Sequence, residues 1–124
     1  MLGSAELQTI IWTSRMVESK RFYQEVLGLR LKGASHGAAI FEVGGRELRV
    51  SPVPSTTPSE HTVLGFAVSD AGAIIAHLTE LGIPFERFPD FHHDKHGVVR
   101  TPDGAKVAWF RDPDGNLLSI VQYA

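Results

Sequence analysis

The stretch Trp109-Phe110-Arg111-Asp112-Pro113-Asp114-Gly115-Asn116-Leu117-Leu118-Ser119-Ile120-Val121 decides how the whole chain is read. Two apolar runs flank a turn with fully specified chemistry. Asp112 can accept from the backbone ahead of it, Pro113 pre-sets the dihedral at the second turn position, and Gly115 occupies the fourth. These residues predict a hairpin, and the hairpin fixes which side chains beyond it share a face. Ser119 stands four residues past Gly115.

Working backwards, Pro102-Asp103-Gly104 predicts a turn that feeds a strand over 106–110. Upstream, Phe85 to Phe88 reads as a short strand. The segment Asp90-Phe91-His92-His93-Asp94-Lys95-His96-Gly97 has no apolar period and reads as a surface loop. Ser69 or Asp70 caps a helix whose apolar face is Ile74, Ile75, Leu78 and Leu81, and Gly82 with Pro84 stops it. His61 to Val68 reads as the strand before it.

The same order occurs once before. Leu7 to Thr13 reads as a strand with Gln8, Ile10 and Trp12 on one face. Ser14 offers an N-cap oxygen to a helix carrying Met16, Ser19, Phe22 or Tyr23, Val26 and Leu27 at helical spacing. Gly28 ends that helix in the left-handed region. Strands follow over 29–32, 38–43 and 47–53, with Gly44-Gly45 as a tight turn. Between the two halves, Pro52, Pro54 and Pro58 among small polar residues exclude a helix or a central strand. The predicted organisation is a first module over 6–53, a linker over 54–60 and a second module over 61–124.

Strand, helix and three strands, twice, is an internal duplication. Gln24-Glu25-Val26-Leu27-Gly28-Leu29 parallels Thr79-Glu80-Leu81-Gly82-Ile83, and Phe41 through Gly45 to Val50 parallels Phe110 through Gly115 to Ile120. Arg49 lies four past Gly45 as Ser119 lies four past Gly115, so the two are expected to be symmetry mates.

Composition narrows the function classes. At 124 residues there is room for one domain with a proper core. Twelve basic against fourteen acidic residues, with no basic block, argue against nucleic acid or an anionic membrane as partner. The absence of cysteine removes disulfides, thiolate metal sites and cysteine nucleophiles and fits a reducing compartment. The first residues carry neither a basic region nor a long apolar run, and no run approaches membrane-spanning length. A cytoplasmic, soluble protein is the expectation. No serine nucleophile elbow, phosphate-cradling loop or paired-carboxylate motif is present.

With Ser19-Lys20-Arg21-Phe22-Tyr23-Gln24-Glu25-Val26-Leu27-Gly28-Leu29 in one module and Trp109-Phe110-Arg111-Asp112-Pro113-Asp114-Gly115-Asn116 in the other, the chain resembles the vicinal oxygen chelate superfamily of glyoxalases, bleomycin-resistance proteins, fosfomycin-resistance enzymes and extradiol dioxygenases. The resemblance implies an α+β fold. Two tandem βαβββ modules form curled mixed sheets around a shared cavity, with helices outside and commonly a homodimer. It also implies, in metal-using members, ligands from the start of each module's first strand and from a point on each last strand. Such ligands hold a divalent cation that polarises vicinal oxygens.

Carried over, those positions are Gln8 and Arg49 in the first module and Val63 and Ser119 in the second. Only Gln8 matches a ligand the family uses. Val63 cannot coordinate, Arg49 is a fixed cation, and Ser119 stands where a glutamate is usual. The family's metal site reads as lost. Glu47 and His61 lie two residues outward on the same strand faces, so Gln8, Glu47 and His61 form a displaced candidate set, the alternative being rim residues at strand ends. His92, His93 and His96 are either a cavity-mouth loop or simply solvated. Arg49 pairs either with an acidic ligand or with an internal carboxylate such as Glu47. Trp12 and Trp109 either line a pocket or pack in the core. The ligand-binding candidates are therefore Gln8, Trp12, Arg49, Val63, Trp109 and Ser119, and no catalytic residue is assigned. Three functions stay open: a metal-independent small-molecule-binding protein of the bleomycin-resistance type, a metal-dependent enzyme with a displaced site, and a dimeric interaction module.

Overall fold

A computed structural model describes residues 1–124. The fold is α+β, with two four-stranded mixed sheets. The chain divides into two compact units, Met1–Thr56 and Thr57–Ala124. No helix is long and apolar enough to cross a membrane.

The first unit runs β1 (Thr9–Thr13), α1 (Met16–Arg21), β2 (Arg30–Ser35), β3 (Ala38–Val43) and β4 (Arg46–Pro52), with sheet order β1-β4-β3-β2. β1 lies parallel to β4, and the remaining pairs are antiparallel. Gly44 and Gly45 both have positive φ (56° and 81°), the requirement of a two-residue hairpin turn matched to strand twist. One sheet face carries Ile11, Val50 and Ala39 in one row and Leu48 and Phe41 in the next, all buried. Burying each large side chain contributes about 1.5–3 kcal/mol.

Arg15, not Ser14, occupies the cap position of α1. The N–H of Arg15 donates to Thr13 Oγ1 (3.0 Å), and Thr13 Oγ1 lies 2.7 Å from Ser19 Oγ, both residues being fully buried. A buried hydroxyl pair thus ties the end of β1 to the middle of the helix. After Arg21 the helix widens into a π-helical turn over Phe22–Val26, closed by Leu27 N–H donating to Phe22 O. Both Phe22 and Tyr23 are buried, their rings edge to face at 5.3 Å, and Tyr23 reaches Phe41. The widened turn places two consecutive aromatics in the core, where ordinary helical spacing selects one. Gly28, at φ 71°, ends the helix as expected.

The second unit runs β5 (Leu64–Ala67), α2 (Ala71–Glu80), β6 (Val99–Arg100), β7 (Lys106–Arg111) and β8 (Leu117–Gln122), in sheet order β5-β8-β7-β6. Asp70 is the helix cap, its Oδ1 accepting from Ala73 N–H (3.0 Å). Ala71, Ile75 and Leu78 form the buried helix face, whereas Ile74 and Leu81 are exposed. The expected hairpin forms around Asp112. Its Oδ1 accepts from the N–H groups of Asp114 and Asn116, and its Oδ2 accepts from Asn116 Nδ2 (2.8 Å). Gly115 follows at φ 87°.

Besides Ile74 and Leu81, two strand expectations fail in this unit. β5 is shorter than His61–Val68, and Phe85–Phe88 is not a strand; the fourth strand of the sheet is Val99–Arg100. Pro84 and Pro89 bracket the earlier segment and remove ladder donors. It keeps one sheet bond, Glu86 N–H to Trp109 O, and a partly buried ion pair between Arg111 and Glu86 (2.6 Å).

Candidate functional site

Strand register places the candidate residues. In the first sheet Arg49 lies between Ile10 of β1 and Ile40 of β3; in the second, Ser119 lies between Gly65 of β5 and Trp109 of β7. Arg49 and Ser119 are therefore mates in their sheets, and so are Ile10 and Gly65. Two residues upstream of those partners stand Gln8 and Val63. The equivalences counted from the turn glycines hold.

Alternation along β1 and β4 turns Ile10 and Trp12, with Glu47 and Arg49, away from the buried face, and Gln8 is exposed just before β1. Beside Gln8 and Arg49 this open face forms a recess of about 680 Å3, within the range of small-molecule sites. Its charged lining is Glu6, Lys32, Arg46, Glu47 and Arg49. Lys32 Nζ approaches Glu47 Oε2 at 2.6 Å, so these two charges cancel. Arg49 is half-buried, and its Nη2 donates to Ser35 O (3.1 Å). Glu47 is thus the partner of Lys32 and not of Arg49. A guanidinium has five donors in a planar fork, and Arg49 turns a fork with capacity to spare toward a recess that Gln8 also lines. Sequence reasoning missed Lys32. Its signal was the Lys32-Gly33 pair within a strand, which marks the bulge where β2 shifts register against β3.

Trp12 is half exposed on the same strand face, outside the recess. Val63 is exposed, and its N–H donates to Leu117 O. Ser119 is buried. Trp109 faces away from α2, because its neighbours Ala108 and Phe110 fill the helix side. Phe91 stacks on it (5.7 Å, 15° between planes), and Phe88 meets it edge-on at 5.3 Å.

The loop reading of 90–97 needs revision at His93. Its Nε2 accepts from Phe88 N–H (2.9 Å), which leaves the proton on Nδ1 to donate to Gly97 O (2.8 Å). Both ring nitrogens are used, and the ring lies 6.1 Å from that of Trp109. His93 is a strut that folds the loop over Trp109, while His92 and His96 are exposed.

A divalent cation does not fit the donors present. The four positions at which the resemblance places ligands hold an amide, a guanidinium, an isopropyl group and a hydroxyl. Of the displaced set, Glu47 is bonded to Lys32, and His61 is exposed in the second unit with its N–H on Ser59 Oγ. No three His, Asp or Glu side chains converge as a metal-ligating group.

The family model described as Glyoxalase/Bleomycin resistance protein/Dioxygenase superfamily matches residues 7–120. No curated protein matches by sequence. Among solved structures, a lactoylglutathione lyase from Agrobacterium tumefaciens is similar at 21% identity, with a TM-score of 0.71 over 96% of this chain and 93% of that one. A virulence protein from Salmonella typhimurium is similar at 22% identity and TM-score 0.70, covering 96% and 97%. A glyoxalase/bleomycin resistance protein/dioxygenase from Nocardioides gives 21% and 0.67, covering 97% and 85%.

Proposed function

Since the chain belongs to the Glyoxalase/Bleomycin resistance protein/Dioxygenase superfamily, we propose that it is a small-molecule-binding protein that takes an anionic ligand without a divalent metal. The ligand lies in the recess on the open face of the first sheet. Arg49 donates to its acidic group in a forked, charge-assisted pair, and Gln8 supplies a neutral donor and acceptor beside it. The observation that carries this reading is the combination at Arg49: a half-buried guanidinium bonded to a single backbone carbonyl, with the adjacent carboxylate taken by Lys32.

The test is a thermal-shift screen of small mono- and dicarboxylates, followed by calorimetry on the hits. Binding stabilises in proportion to the logarithm of ligand excess, about 2.7 kcal/mol at a hundred times Kd. Arg49→Gln is expected to weaken the best hit at least about tenfold, the ordinary cost of a lost charged hydrogen bond. Hits whose affinity is indifferent to Arg49→Gln would remove the reading. A stoichiometric divalent ion that co-purifies with the protein and is lost in Gln8→Ala would remove it too.

A further inference from the structure

A second recess lies on the helix side of the second sheet. It is separate from Arg49 and is built from α2, β6, β7 and the loop before β6. Its volume is about 180 Å3, below the 300–1,000 Å3 usual for drug-sized ligands, so an occupant would be a small molecule of few heavy atoms. Its walls are apolar where Ile75, Ala76 and Val98 meet it. Its polar lining is Arg100, Lys106, His96 and Asp94.

The charges are arranged unusually. Arg100 and Lys106 are direct cross-strand partners in the β6–β7 ladder. Like charges facing each other across a ladder repel, yet both side chains line the same recess and neither forms an ion pair. The single carboxylate present, Asp94, bonds within its own loop through one oxygen, although the charge of Arg100 also acts on it. Its Oδ1 accepts from the N–H groups of His96 (2.8 Å) and Val98 (2.9 Å). One carboxylate against two fixed cations leaves the recess net positive over an apolar floor.

We infer that this recess is a binding site for a small monocarboxylate with an apolar body. The carboxylate would sit between Arg100 and Lys106, relieving their repulsion, and the body would lie on Ile75, Ala76 and Val98. The arginine fork favours a planar two-oxygen group, and the apolar walls favour a compact hydrocarbon over a fully hydrated inorganic anion.

Titration of the ¹⁵N-labelled full chain with sodium benzoate, against sodium chloride at matched ionic strength, tests this. Saturable shifts are expected at the amides of Gly72, Ile75, Val98 and Arg100, and chloride is expected not to reproduce them. The double variant Arg100→Gln, Lys106→Gln should weaken benzoate at least tenfold. Arg100→Lys, which keeps the charge and loses the fork, should fall between. Arg49→Gln should leave these shifts in place. Because Arg100 is exposed and Lys106 partly so, the double variant is expected to keep a cooperative melting transition close to that of the parent, which separates lost binding from lost folding. Shifts that chloride matches, shifts that persist in the double variant, or saturation by inorganic phosphate but not benzoate would each overturn the assignment.

Discussion

Gly65 and Ser119 face each other across the parallel β5–β8 pair, and a Cβ on Gly65 would stand 2.9 Å from Ser119 Oγ. The hydroxyl occupies the space that a side chain at 65 would need. In the first sheet the equivalent pair is Ile10 and Arg49, so one register position is filled by two large residues in one module and by two small ones in the other.

Gly65→Ala is therefore expected to force the Ser119 hydroxyl out of its place. The cost is about 1 kcal/mol, typical of mild overpacking. In a Ser119→Ala background the obstruction is gone, and the lower chain entropy of alanine should make the same change neutral or favourable. Urea denaturation of the four proteins in the cycle should give a coupling of roughly 0.5–1.5 kcal/mol. Additive effects would mean that the hydroxyl is not the obstacle.

His93 is expected to be the Nδ1–H tautomer in its neutral form, because Nε2 must accept from Phe88 N–H while Nδ1 donates to Gly97 O. Long-range ¹H–¹⁵N correlation of the imidazole reads this directly. His93→Ala deletes both bonds and should cost roughly 1–3 kcal/mol. It should also raise the access of a neutral fluorescence quencher to Trp109, measured with Trp12→Phe as background. Unchanged quenching would show that the aromatic contacts of Phe88 and Phe91 hold the loop without the histidine.

Burial pushes the Asp94 carboxyl up, but the N–H groups of Val98 and His96, helped by the charges of His96 and Arg100, outweigh it and hold it below the ordinary value of 3.8. The group is depressed in the folded chain, so its stabilisation is complete above about pH 4 and is lost as pH falls through the lower folded value. Followed by NMR from pH 6 downward, the amides of His96 and Val98 should move together with a midpoint below 3.8, and Asp94→Asn should abolish that transition. A midpoint above 3.8 would reverse the sign of the argument.

The duplication, the helix-ending glycines and the register of Arg49 and Ser119 were legible because each follows from chemistry within a few residues. Asp112 gathers its three donors from Asp114 and Asn116, and Gly44-Gly45 needs no distant help to turn. What was not legible depends on meetings across the chain. Nothing near Glu47 announces that Lys32 will claim it, since a bulge one strand away delivers that lysine. The run 90–97 lacks a period because Phe91 and His93 answer to Trp109, which lies on β7. Phe85–Phe88 carries strand-forming residues, yet its flanking prolines and the diversion of Phe88 N–H to His93 keep it out of the ladder.

The parallel pairings also set an order in time. Val43 and Arg46 meet across two glycines, and Arg111 and Leu117 meet across one short turn; hairpins of this kind close in about 1–10 μs. Ile10 must find Arg49 from 39 residues away, and Gly65 must find Ser119 from 54, and contacts of long sequence separation are reached late. Each hairpin is therefore expected to form first, with the first strand of its module docking last, an order that φ-values on the two strands would read. The recess that Gln8 and Arg49 line is then expected to be completed only when β1 docks.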